Sequence, residues 1–135
     1  MLRTPNPTDR RLAALSLFDG LRARDRRHLA QHAEVVTVPA GRVLIHEDQP
    51  NRFTYFVLSG RLDVEVDGEV VATVGADELV GERTLLGRRL ATATVRTAEE
   101  CELVVLDHRA LRASAEDHPA IAERLRGVEA VRAAA

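Results

Sequence analysis

The chain has 135 residues, 45% of them hydrophobic and 30% charged, with a formal net charge of −2. That is the size of a single domain able to bury a core without disulfide or metal staples, and the charge balance gives no global field favouring nucleic acid. One cysteine excludes an intramolecular disulfide framework. No apolar run approaches the roughly 18–20 residues of a membrane span, and the first residues lack the apolar core of a signal peptide, so a cytoplasmic location with no membrane partner is expected.

Residues 1–9, with Pro5 and Pro7, read as a flexible arm, and the domain proper as residues 10–135. From Asp9 the spacing of Leu12, Leu15 and Phe18 predicts one helix closed by Gly20, and a second helix is expected over 24–32 with Leu29 and Ala33 turned inward. The period then changes. Val35–Val38 is β-branched and ends at the turn Pro39-Ala40-Gly41, and further strands are predicted at 43–45 and 53–58. Leu62–Val66 alternates apolar and polar residues strictly, Asp67-Gly68 is a hairpin signal, and Glu69–Val74 returns along it. Strands follow at 92–98 and 101–106. Asp107 is positioned to cap a helix at 108–116, and Pro119 to open a last helix with Ile121, Leu125, Val128 and Val131 on one stripe.

Many short strands flanked by helices indicate a small antiparallel β-roll or barrel, with a helical lead-in at 10–33, the roll at 34–106 and C-terminal helices at 107–133. The stripe on the last helix fits packing on its own barrel or against a partner helix, as in a homodimer.

Between the strands, Gly81 to Val95 reads as a short helical turn and a basic loop, a layout suited to holding an anion. Six segments together carry a resemblance to one family: Leu17-Phe18-Asp19-Gly20-Leu21, Val38-Pro39-Ala40-Gly41, Tyr55–Gly60, Val80-Gly81-Glu82, Thr92–Val95 and Cys101–Leu106. In order and spacing the chain resembles the cyclic nucleotide-binding domain family over most of residues 15–131. The resemblance implies an eight-stranded antiparallel double-stranded β-helix (a jelly-roll or β-roll) with N- and C-terminal helices, and cAMP or cGMP as ligand, with no other cofactor.

Within that resemblance, Gly81 lets backbone approach the ligand closely. Glu82 accepts the ribose hydroxyl, or alternatively only caps a short helix over Arg83–Leu86. Thr92 and Ala93 fit the small pair beside the phosphate, and Val80, Leu62 and Val64 are candidate walls. The family's phosphate-gripping arginine falls nine residues after the glutamate, at Ala91. Removing one partner of a buried charge pair typically costs about 3–5 kcal/mol, roughly a hundredfold or more in affinity. An extended backbone would set Arg89 on the same side as Ala91 and about 7 Å away, within the reach of its side chain. The candidate ligand-binding set is therefore Val80, Gly81, Glu82, Arg89, Thr92 and Ala93.

Other chemistry finds little support. His28 and His32 lie four apart on a predicted helix but have no third ligand placed by sequence, and read as a solvated face. Cys101 opens a strand and reads as packed rather than nucleophilic, and no serine sits in a nucleophile elbow. Neither a metal site nor catalysis is expected. The sequence ends soon after the last helix, so no DNA-binding module is expected in it. Two functions compete: a stand-alone regulatory sensor that binds cyclic nucleotide and relays through its C-terminal helices to an unidentified protein partner, or a degenerate domain that binds none and acts in dimerisation or protein interaction.

Overall fold

A computed structural model describes residues 7–82, 87 and 90–134. The order of elements is α1 (Pro7–Ala13), a 3-10 turn (Ser16–Phe18), α2 (Ala23–Ala30), β1 (Ala33–Val38), β2 (Val43–Ile45), β3 (Phe53–Ser59), β4 (Leu62–Val66), β5 (Glu69–Val74), β6 (Leu79–Val80), β7 (Thr94–Thr97), β8 (Cys101–Asp107), α3 (His108–Asp117) and α4 (Pro119–Ala134). The strands form two four-stranded antiparallel sheets, ordered β1-β8-β3-β6 and β2-β7-β4-β5, which is the expected mainly-β roll with flanking helices.

Alternation along the strands divides the core in two. On β3 and β8, Phe56 pairs with Val104 and Val57 with Leu103. Phe56, Val104 and Leu106 face the helices and pack with Leu12, Leu15, Phe18, Leu111, Ile121 and Leu125. Val57, Leu103 and Cys101 face the roll interior with Ile45, Leu62, Val80 and Val95. The first sheet is thus covered on both faces, and β8 is correspondingly apolar, whereas β5 leaves Val70 and Val71 more than half exposed.

Several elements differ from their sequence reading. The first helix is not continuous to Gly20: Leu15 is extended, and the Ser16 amide donates to Asp77 Oδ1 at 2.8 Å instead of continuing the helix. Leu12, Leu15 and Phe18 still reach one core, through a helix followed by a 3-10 turn, and Gly20 closes it in the left-handed region (φ 82°). α1 begins at Pro7, inside the stretch read as an arm, with proline where a missing amide costs nothing. β6 has no counterpart in the sequence reading, because two residues carry no period; β3 recruits it through Tyr55–Val80 and Phe56–Leu79 pairs. The β4–β5 hairpin does follow its sequence signal: Asp67 and Gly68 both take positive φ, as a two-residue turn of this hand requires.

The C-terminal helices lie on the domain's own surface. The Asp107 carboxylate accepts from the Arg109 amide at 2.7 Å and caps α3. In α4, Ile121 and Leu125 are fully buried, Val128 packs beside them, and Arg124 Nη1 donates to the carbonyls of Leu17 and Asp19 at 2.9 and 2.8 Å. The side chain of Val131 lies outside the described residues. Shortening Leu125 to alanine opens a cavity beneath α4 and is expected to cost about 2–5 kcal/mol of unfolding free energy, measured by chemical denaturation. A loss below about 1 kcal/mol would mean that α4 is not docked as described.

Candidate functional site

The interior of the roll is not fully filled. A cavity of about 230 Å³ opens between the β6 end and the strand entering β7. Ile45, Val64, Val80 and Val95 form its apolar floor, Val66, Val71 and Ala72 of the β4–β5 hairpin its rim, and Asn51, Gly81, Glu82, Ala91, Thr92 and Ala93 its polar end. Five of the six candidate ligand residues thus come together around one space: Val80, Gly81, Glu82, Thr92 and Ala93. The sixth, Arg89, lies outside the described residues, as do Arg88 and the helical turn expected over Arg83–Leu86.

Gly81 owes its identity first to packing. It adopts φ 94°, and a Cβ there would collide with the carbonyl oxygen of Phe53 and come within 3.0 Å of Asn51 Nδ2 and 3.3 Å of Ile45 Cδ1. The close approach that the missing side chain permits is therefore to β3 as well as to the cavity. Asn51 fixes the same corner: its Nδ2 donates to the Phe53 carbonyl at 2.7 Å, and its Oδ1 accepts from the Phe53 amide at 3.3 Å.

Glu82 follows with no exposed surface. A carboxylate so placed is stable only while its oxygens are engaged, because desolvating a charge is costly without hydrogen bonds. Opposite it, the backbone of Ala91 is clamped by two bonds, its amide donating to the Gln49 carbonyl at 2.8 Å and its carbonyl accepting from the Asp48 amide at 2.9 Å. Its methyl packs in the interior cluster with Ile45, Val80 and Val95. The position that the family resemblance assigns to an arginine is a wall of the cavity here, with only a methyl group facing inward.

The acidic turn before Asn51 braces the rim. Glu47 Oε2 accepts from the Asp67 amide at the hairpin tip (3.1 Å), and the Glu47 amide donates to Thr94 Oγ1 (3.1 Å). Of the candidate walls, Val64 lines the cavity, whereas Leu62 is fully buried in the interior cluster and does not. Sequence reasoning missed Ile45, Asn51, Val66, Val71, Ala72 and Val95. The strand alternation could have signalled the valines; nothing local signals Asn51, whose role depends on the approach of Gly81.

One further histidine meets this corner. His108, the first residue of α3, is nearly buried, and its amide donates to the Arg52 carbonyl at 2.9 Å. Burial holds its imidazole below the usual histidine range. The backbone at Gly81 and Phe53 opposes that shift, Arg112 adds to it and Asp107 opposes it. Away from the roll, a larger groove of about 650 Å³ separates α2 from α3, with Asp25, His28, His32, Asp117 and His118 along it. The rings of His28 and His32 meet edge to face, 5.6 Å apart, and His118 Nε2 lies 3.8 Å from Asp25 Oδ2. Among the described residues no three histidine, cysteine or acidic side chains converge as a metal site would require. Cys101 is fully buried, with its Sγ donating to the carbonyls of Arg61 and Glu99, and burial raises its thiol pKa. Among the described residues no helix is long and apolar enough to cross a membrane.

Comparison with known proteins agrees with this fold. Residues 35–118 match the family model described as the cyclic nucleotide-binding domain. The chain is 27% identical over 122 residues to the CRP-like cAMP-activated global transcriptional regulator of Mycobacterium tuberculosis, covering 87% of this chain and 54% of that protein. Among solved structures, the regulatory domain of Toxoplasma gondii PKA in co-crystals with cAMP is 30% identical (TM-score 0.68; 78% of this chain, 42% of that one). The catabolite activator protein of Thermus thermophilus is 25% identical (TM-score 0.72; 86% and 57%). The chain thus spans about half of the mycobacterial relative, and only 28% and 7% of two other curated relatives.

Replacing Gly81 by alanine tests the corner directly. The left-handed backbone alone costs roughly 1–2 kcal/mol with a side chain, and overlap with the Phe53 carbonyl adds to it, so a loss of at least about 2 kcal/mol in unfolding free energy is expected. Unchanged stability would show that Gly81 and Phe53 do not meet.

Proposed function

The chain belongs to the cyclic nucleotide-binding domain family, and from that premise we propose that it is a regulatory domain that takes cAMP or cGMP into the roll and relays occupancy through α3 and α4 to a protein partner. The observation that carries this reading is the cavity itself, which sets Gly81, the buried Glu82 and the Ala91–Ala93 backbone around one space. In this reading Glu82 accepts the ribose hydroxyl, the backbone amide of Gly81 and the Thr92-Ala93 pair face the phosphate, and Val64, Val71 and Val80 contact the sugar and base. At about 230 Å³ the space is below the roughly 300–1,000 Å³ usual for small-molecule sites, so the ligand extends past the valine rim. The phosphate needs a cation that Ala91 does not supply, and Arg89 is assigned that role.

The buried methyl of Ala91 favours a second reading, in which the roll binds no nucleotide and the domain serves protein interaction. Calorimetric titration with cAMP and cGMP separates the two. On the first reading the wild type binds, and saturation at a hundred times the dissociation constant stabilises the fold by about 2.7 kcal/mol. Glu82→Gln and Arg89→Ala each then weaken binding about ten- to hundredfold, the range expected for losing a charge-assisted hydrogen bond. Binding that is equally strong in Arg89→Ala would remove that residue from the site. If the wild type binds nothing at millimolar nucleotide while Ala91→Arg does, the roll is a degenerate pocket and the second reading stands.

A further inference from the structure

We propose that Asn51 is a further ligand contact of the roll, its side-chain amide donating to the phosphate of the bound nucleotide where position 91 offers no donor. This rests on the reading of the cavity given above and adds a residue to it. The loop between β2 and β3 runs along the polar end of the cavity and meets both of its sides. At Ala91 it makes two backbone bonds, the Gln49 carbonyl accepting from the Ala91 amide at 2.8 Å and the Asp48 amide donating to the Ala91 carbonyl at 2.9 Å. Two residues after Gln49, Asn51 reaches Gly81: a Cβ at position 81 would come within 3.0 Å of Asn51 Nδ2. The chain between these contacts spans at most roughly 7 Å, so Asn51 stands close to the wall that Ala91 forms.

A phosphate bears acceptor oxygens, so the protein must meet it with donors. Position 91 has none to give: its side chain is a methyl group, and its amide already donates to Gln49. Asn51 keeps one. Its carboxamide carries two N–H groups and one oxygen. One N–H donates to the Phe53 carbonyl at 2.7 Å, and the oxygen accepts from the Phe53 amide at 3.3 Å. These partners also fix which way the amide faces, because a carbonyl requires the nitrogen and an amide N–H the oxygen. The second N–H of the planar group points away from the Phe53 carbonyl, and among the described residues both bonds of Asn51 go to Phe53. Glycine at 81 leaves this nitrogen uncovered, whereas a methyl group there would press on it.

The side chain is thus set before any ligand arrives. Both ends of its amide are held by Phe53, and Pro50 restricts the backbone just ahead of it, so little conformational freedom is lost on binding. Asn51 adds direction but no charge, and it complements the cation assigned to Arg89 rather than replacing it.

The test compares two ligands that share base and ribose, cAMP and adenosine, on the wild type and Asn51→Ala by calorimetric titration. Affinity for cAMP is expected to fall about tenfold in the variant, the loss of one hydrogen bond to a charged acceptor, while affinity for adenosine changes less than about twofold. Wild-type affinity for cAMP in the variant overturns the contact. So does a loss shared equally by both ligands, because a residue that only braces the Gly81 corner would affect each alike. A second measurement needs no variant: the side-chain N–H resonances of Asn51 are followed by NMR in the wild type as cAMP is added. The proton not held by Phe53 is expected to move downfield while its partner moves little. Two unmoved resonances at saturation overturn the contact, and this decides the matter where adenosine binds too weakly to compare. A wild type that binds neither cAMP nor cGMP overturns the cavity reading, and this contact with it.

Discussion

The site depends on one close contact, the backbone of Gly81 against the carbonyl oxygen of Phe53. It lets β6 pair with β3 for two residues and then turn away sharply, which puts Glu82 at the wall of the cavity rather than continuing the sheet. A side chain at position 81 would push the two strands apart, and Asn51, which bonds the same carbonyl, would lose its place at the cavity's polar end. α3 starts beside that contact, since Phe53 pairs with Asp107 at the end of β8 on the other edge of β3.

Around this corner the chemistry is uneven. On one side is a carboxylate with no exposed surface; on the other, a methyl group occupies the position where the family resemblance leads one to expect an arginine. Within the segment 81–95, the residues that define the fold and those proposed to hold an anion are therefore separable. Gly81 serves the packing of the roll whether or not a nucleotide enters, whereas the side chain of Ala91 contributes only apolar surface. That separation explains how a chain can belong to the family through its architecture while the proposed grip on a nucleotide rests on a single basic residue.

Much of the architecture was legible because local chemistry and tertiary structure agree. The strict alternation at 62–66 and the Asp67-Gly68 turn specify a hairpin within a dozen residues, and Asp107 announces the cap it makes. The failures come from contacts distant in sequence. The first helix breaks because Ser16 bonds Asp77, 61 residues away, which no helical periodicity can reveal. β6 exists only because β3 pairs with it. At the site, Val80, Gly81, Glu82, Thr92 and Ala93 were found through the family pattern, while Asn51 and Val71 became visible only once the hairpin and the β3 entry had been placed around the cavity. Leu62 was read as a wall and is core, because alternation gives the face of a strand but not how deep along the roll a residue lies.

The central claim is that the cavity bounded by Gly81, Glu82 and Ala91 is where the ligand sits, and a crystal structure of the chain grown with millimolar cAMP tests it most directly. The account predicts nucleotide inside the roll, with its ribose hydroxyls on Glu82, its phosphate facing the Gly81 amide and the Arg89 guanidinium, and its base at the Val66–Val71 rim. An empty roll, or nucleotide lodged only in the groove between α2 and α3, would contradict it.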